Sequence, residues 1–296
     1  MSHSTPIAVP DIALPLVVPS EGIPRGAEVD TGTSGSGGRA FAVPPRLWIS
    51  AATIAGLVAL WWVASASGAV PALFLPSPQS VLTRLWSIAT EGFVDATLVQ
   101  HLLASLFRVF AALAAALIIG VPVGLAIGLS TVGRGVLDPI IEFLRPIPPL
   151  AYLPLVIIWA GIGETAKVLV IGLAMLPPIV IATAAGARGV ERNRVNVARA
   201  LGATRAQVLR FVVLPSALPS ILTGTRIALG AGWSTLVAAE LVAATRGVGF
   251  MIQSAANFLA TDVVVAGILV IAAVAFVLEL GVRLLEKALV GWSLHS

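Results

Sequence analysis

The sequence predicts an all-α, polytopic membrane protein with about six transmembrane helices and a two-helix cytoplasmic segment between spans four and five. Three observations predict it. Hydrophobic residues fill 58% of the 296 positions and charged residues only 11%, where soluble domains carry about 25% charged residues. The mean hydropathy is +1.00. The apolar residues also fall in uncharged runs long enough for a membrane crossing, which needs about 20 residues, and arginines gather between the runs. The net charge of +4 is too small and too scattered for nucleic-acid binding, but it suits loops beside an anionic lipid surface. The absence of cysteine excludes a disulfide framework and thiolate chemistry.

Residues 1–45 are rich in Pro, Gly and Ser and are expected to form a disordered cytoplasmic tail. Their apolar stretch 12–18 is short, broken by Pro15 and Pro19 and lacks a basic leader, so no signal peptide is expected. Residues 46–100 should hold the first span, 47–67, and a surface helix after Pro78 with an apolar stripe of Val81, Leu82, Leu85, Trp86 and Ile88. Residues 101–285 form the main transmembrane region, with spans at about 103–129, 146–162, 165–185, 217–242 and 262–284. The second span carries Gly120, Gly124 and Gly128, which permit close helix approach, and Pro122, where a kink is expected. "RPIPPLAYLPLVIIWAGIG" cannot run as one regular helix, because each proline removes a donor. The third span should therefore be broken and face the bundle interior. Residues 286–296 form a C-terminal tail.

Arginine placement orients the chain. Arg188, Arg192, Arg194, Arg199, Arg205 and Arg210 face a single Glu191 between spans four and five, Arg134 and Arg145 lie between spans two and three, and Arg283 and Lys287 lie near the end. The positive-inside rule makes these loops and both termini cytoplasmic. Arg84, Lys167 and Arg246 remain as scattered bases outside.

The charged segment before the fifth span has its own punctuation. Residues 191–201 have helix-forming composition, and Gly202 permits the positive φ that ends a helix. Thr204 and Gln207 make a capping box for a second helix, mostly apolar, which Pro215 stops, while Pro219 falls in the first turns of the next span. Composition alone equally allows an ordinary positive loop that fixes topology.

The pattern "VARALGATRAQVLRFVVLPSALPSI" resembles the cytoplasmic motif of bacterial ABC importer permeases. That motif opens Glu-Ala-Ala, and Asn196, Val197 and Ala198 stand there in this chain. "LPSPQSVL", "RPIPPLAYLPLVIIWAGIGETAKV" and "IQSAANFLATDVVVAGILVIA" are similar to the branch importing nitrate, taurine and aliphatic sulfonates. The resemblance implies an ATPase-coupling motif of Ala198, Leu201, Gly202, Ala203, Phe211, Leu214, Pro215 and Pro219. It also implies cytoplasmic ABC ATPase subunits, an extracytoplasmic solute-binding protein and a second permease chain, as a homodimer, in the bacterial inner membrane. No cofactor is expected on this chain, and ATP with Mg belongs to the partner ATPase. Consistently, neither lysine, Lys167 nor Lys287, sits in a Walker-type phosphate loop. The three histidines, His3, His101 and His295, are too dispersed for a metal cluster.

An anionic solute favours a path of weak, dispersed positive potential, and Arg108, Trp233 and Glu240 are the candidate pathway residues. Arg108 has a competing reading as a snorkelling interfacial side chain. Arg226 and Glu279 lie at similar expected depths, about 13 and 9 Å from the cytoplasmic side at the helical rise. They are the candidate structural ion pair, the alternative being that each reaches the interface separately. An ion-coupled secondary transporter built from broken helices is a rival class, with Arg108, Arg226, Glu240 and Glu279 as its ionisable candidates. A membrane-embedded enzyme is a third, disfavoured by the lack of a nucleophile or metal constellation.

Overall fold

The computed structural model describes residues 45–290, all of whose regular elements are helical. The expected N-terminal tail lies outside them. Contacts divide the chain into residues 1–50 and 51–296, and of the first unit only the opening turn of a helix is described. In order, the elements are α1 (Pro45–Ala66), α2 (Pro78–Thr90), α3 (Leu98–Leu129), α4 (Thr131–Leu144), α5 (Leu153–Ala160), α6 (Glu164–Arg188), α7 (Arg192–Ala200), α8 (Arg205–Val208), α9 (Leu214–Ala243), α10 (Val248–Asn257) and α11 (Thr261–Val290). A 3₁₀ turn, Pro149–Tyr152, precedes α5, and a π-helical stretch, Leu209–Val213, joins α8 to α9.

Among the described residues five helical stretches are long and apolar enough to cross a membrane, and the count is six if the bent pair 131–144 and 149–160 is one span. The two arms of that pair meet at 92°, and Pro146, Pro148 and Pro149 fill the corner. The segment read as a loop between spans two and three is instead the helix α4. Ser130 caps it through a bond from the Gly133 N–H, and Leu137 and Ile141 anchor it on Ile127, Val180 and Ala184. Its alternation of apolar and charged residues, amphipathic and too short to span, hid it among the long apolar runs. The expected tail from residue 286 likewise begins inside α11.

The core of the bundle is α6, half of whose apolar stretch is buried, packed chiefly against α3 and α9. The reason is small residues at four-residue spacing. Ala112, Ala116, Gly120 and Gly124 lie buried along one face of α3, opposite Ile171, Met175, Ile179 and Thr183 at the same spacing on α6. A Cβ added at Gly124 would stand 2.6 Å from the Cβ of Thr183 and 2.7 Å from the Val180 carbonyl oxygen. Without a hydrophobic driving force between helices in lipid, such close backbone approach supplies the packing. On the other side of α6, Gly186 accommodates Ser220, and Gly224 of α9 accommodates Ala182. Both α3 and α6 continue as helices through their internal prolines, Pro122 and Pro177–Pro178.

The surface helix α2 begins at Pro78, with Ser77 as its cap. Val81, Leu85 and Ile88 pack against α10 and α11 residues, whereas Leu82 and Trp86 are exposed. The apolar side chains along residues 51–60 of α1 are exposed all round the helix, a surface matched to hydrocarbon.

Candidate functional site

Two regions of the bundle carry the polar chemistry, at opposite ends of α3, α6 and α9. At the first end, His101, Ser105 and Arg108 recur at steps of four and three along α3 and therefore share a face. That face meets the first turn of α6, the last turn of α9 and the start of α10. Arg108 is 2% exposed and its guanidinium makes four hydrogen bonds. Its Nε donates to Glu164 Oε2 at 2.5 Å and its Nη2 to Glu164 Oε1 at 2.8 Å, a bidentate fork. Its Nη1 donates to Glu240 Oε1 at 2.5 Å and to the Arg246 carbonyl at 2.7 Å. Lys167, also buried, donates from Nζ to Glu164 Oε1 at 2.6 Å. Two cations and two carboxylates thus balance, the condition for holding charge at this depth.

Glu240 has a second task. The loop after α9 turns at Gly247, φ +138, where a Cβ would run into the Glu240 carboxylate. The first N–H groups of α10 have no partner within their own helix. Side chains from elsewhere take them: Gly247 N–H donates to His101 Nδ1 at 3.1 Å, Val248 N–H to Ser105 Oγ at 3.0 Å and Gly249 N–H to Glu240 Oε2 at 2.8 Å. Ser105 in turn donates to Glu240 Oε1 at 2.7 Å. Because His101 accepts at Nδ1, its Nε2 carries the proton that is donated to the Phe93 carbonyl at 2.9 Å. The cluster therefore ties α3, α6, α9 and α10 into one unit.

The snorkelling reading of Arg108 is overturned: the side chain points into protein, because two carboxylates and a carbonyl there replace the water it would otherwise seek. Arg108 and Glu240 are brought together, while Trp233 lies two turns down α9 in the apolar core with Met175 and Leu236, its indole N–H without an acceptor among the described residues. Lys167, read as a stray outer base, joins the cluster through its ammonium, whereas Arg246 is exposed and lends only its backbone carbonyl. Glu164, Ser105 and His101 were missed. The available signal was the presence of charged and polar residues at helical spacing inside otherwise apolar runs, which marks a shared buried face.

At the opposite end, α7 closes at Gly202, φ +82. Gly202 N–H donates to the Arg199 carbonyl at 2.9 Å and Ala203 N–H to the Ala198 carbonyl at 3.0 Å, satisfying the last carbonyls of the helix. Thr204 and Gln207 form the capping box in both directions. Val208 and Val213 bury themselves with Ala187 beneath the turn. Above it, Ala198, Leu201, Gly202, Ala203, Gln207 and Phe211 line a hollow of about 300 Å³, and Leu201 and Phe211 are exposed although apolar. The expected stop at Pro215 does not occur. The chain passes from α8 through the π-helical stretch, where Leu214 N–H bonds the Leu209 carbonyl, and on into α9 through Leu214, Pro215 and Pro219. Pro215 lacks the N–H that would continue this ladder, and the widened π turn lies just before it, where the continuous helix accommodates the ring, so the second short helix is the foot of the next span.

Arg226 and Glu279 approach to 3.9 Å between Nε and Oε1, both a third or more exposed. The hydrogen bond of Glu279 goes to Arg283 on its own helix at 2.9 Å, and Glu286 lies 3.7 Å from Arg226. Among the described residues no group of histidines or acids could hold a metal ion.

Residues 116–291 match the family described as the binding-protein-dependent transport system inner membrane component. The taurine transport system permease protein TauC of Escherichia coli (strain K12) is 59% identical over 248 residues, covering 83% of this chain and 90% of that protein. The chain belongs to this family. SsuC of the same organism, named for aliphatic sulfonates transport, is 38% identical over 80% of this chain and 89% of its own. The bicarbonate transport system permease protein CmpB of Synechococcus elongatus is 36% identical over 80% of this chain and 87% of its own. A solved structure of the MetNI methionine ABC transporter in an inward-facing conformation shares the fold, with TM-score 0.56 and 21% identity over 63% of this chain and 93% of that one. The chain is therefore a multi-pass inner-membrane permease subunit of an ATP-binding-cassette importer, a transport component and not an enzyme. Family membership removes the ion-coupled secondary transporter and the membrane-embedded enzyme.

Proposed function

We propose that the importer takes up a small organic anion bearing a sulfonate group, taurine or an alkanesulfonate, with nitrate as the inorganic candidate. The observation that carries this is the 59% identity to a taurine permease across 83% of the chain. Two copies form the pathway, a solute-binding protein delivers from outside, and both termini lie in the cytoplasm, as the arginine-rich α7 and α8 region supports. ATP and Mg are held by a partner ATPase that grips the Gly202 end. Ala198, Leu201, Gly202, Ala203 and Phe211 form the gripped surface: an apolar, exposed hollow on a rigidly capped turn is what a partner groove would bury. Leu214, Pro215 and Pro219 transmit its movement, since α8 and α9 run on without a hinge loop. Arg108, Trp233 and Glu240 belong to the outer half of the permease, and Arg226 with Glu279 joins α9 to α11. The test is uptake: the permease, co-expressed with its ATPase and binding protein in a strain lacking taurine transport, should restore growth on taurine as sole sulfur source. Uptake of only sugars or cationic solutes would refute the anion assignment.

A further inference from the structure

The Arg108 cluster has one asymmetric feature. The two cations are hidden, with side chains 2% and 3% exposed, while the carboxylate that joins them, Glu164, is 55% exposed. Glu164 is thus the exposed member of the cluster that touches both cations. Three donors converge on its two oxygens: Arg108 Nε on Oε2, and both Arg108 Nη2 and Lys167 Nζ on Oε1. One oxygen is used twice. The ammonium of Lys167 has three protons, and among the described residues Glu164 is the acceptor shown for it.

We infer that Arg108 and Lys167 form an oxyanion subsite for a sulfonate group, which Glu164 covers with its own carboxylate until it is displaced. This rests on the reading of the chain as an anion importer. A sulfonate presents three oxygens on a tetrahedral sulfur, one for each of the three donors that now share two. The exchange is isoelectric, one negative charge for another, so the buried cluster stays neutral. The guanidinium does not move when the occupant changes, because Nη1 is held from behind by Glu240 and the Arg246 carbonyl. Glu164 stands in the first turn of α6 and its side chain is already half exposed, so its carboxylate can swing out and remain beside the positive end of the helix. The group recognised is the sulfonate. The rest of the solute is left toward solvent, where the site makes no demand on it.

The test uses the purified full-length chain in lipid nanodiscs with radiolabelled ethanesulfonate as probe. Glu164→Gln removes the covering charge, and ethanesulfonate should then bind about tenfold or more tighter than to the unaltered chain, a step of about 1.4 kcal/mol. Acetate, with two oxygens, should bind that variant more weakly than ethanesulfonate. Equal affinity of the two chains, no binding to the variant, or acetate as tight as ethanesulfonate overturns the subsite. Lys167→Gln is the second arm, made in the Glu164→Gln background, where no carboxylate competes for the ammonium. It should weaken ethanesulfonate binding about tenfold relative to Glu164→Gln alone, and an unchanged affinity overturns the subsite. Taurine uptake by the complete importer, measured separately, keeps the two readings apart. Uptake without binding to Glu164→Gln removes the subsite and leaves the import function, whereas binding without uptake retains the subsite and removes the import function.

Discussion

Replacing Glu240 by alanine should unfasten one end of the bundle. The carboxylate is 0% exposed and accepts from Ser105, Arg108 and the Gly249 N–H. Without it, the Ser105 hydroxyl and the Gly249 N–H lose their acceptor, and Arg108 Nη1 keeps only the Arg246 carbonyl. Removing one partner of a buried pair costs about 3–5 kcal/mol. Each neutral donor left without a partner adds about 1–3 kcal/mol where water cannot follow. Water admitted to the new cavity would recover some of this, so the expected loss for Glu240→Ala is about 4 kcal/mol. Glu240→Gln should lose about 2–3 kcal/mol, because whichever way the amide lies, its NH₂ meets a donor. The assay is unfolding in mixed micelles of increasing denaturing-detergent fraction, with stability read from the midpoint and slope. Two results would refute the reasoning: a loss within about 0.5 kcal/mol for Glu240→Ala, the range of an ordinary surface change, or a glutamine variant less stable than the alanine one.

Gly202→Leu should abolish solute-stimulated ATP hydrolysis while the bundle stays assembled, because a Cβ at 202 meets nothing within 4 Å and only the turn at φ +82 is strained; coupled hydrolysis in the purified complex, with gel filtration for assembly, checks both halves. Gly124→Ala should destabilise by about 1–3 kcal/mol, since α3 must retreat from the Val180 carbonyl. Gly135→Ala on α4, with open space around it, should be neutral or stabilising by up to about 1 kcal/mol on helix propensity, and the same detergent titration compares the two. Arg226→Ala and Glu279→Ala should combine with a coupling below about 1 kcal/mol, because the 3.9 Å pair is partly exposed and Glu286 stands ready as a second partner; a double-mutant cycle on the amount of assembled permease measures it.

The helical class, the apolar spans and the turn at Gly202 were legible in the sequence because each is a local property. Span length follows from hydropathy, a capping box from residues three apart, and a positive φ from the one residue without a Cβ. The arginine-rich segment before α9 was equally legible as a punctuated unit. Its Pro215 misled, because the π-helical stretch just before it lets the helix continue past the missing N–H, and such a change of ladder leaves no mark in the local sequence. What α4 does was hidden for the opposite reason: too short and too amphipathic to register as a span, it is fixed by packing on Val180 and Ala184. The Arg108 cluster was beyond local reading altogether. One of its hydrogen bonds, from Gly247 to His101, joins residues 146 positions apart, and nothing in the chain between them records that they meet. Only the close approach of α3, α6 and α9 through their glycines brings Glu164 and Glu240 to either side of one guanidinium. Buried charges must find partners, and which partners they find is decided where the helices cross.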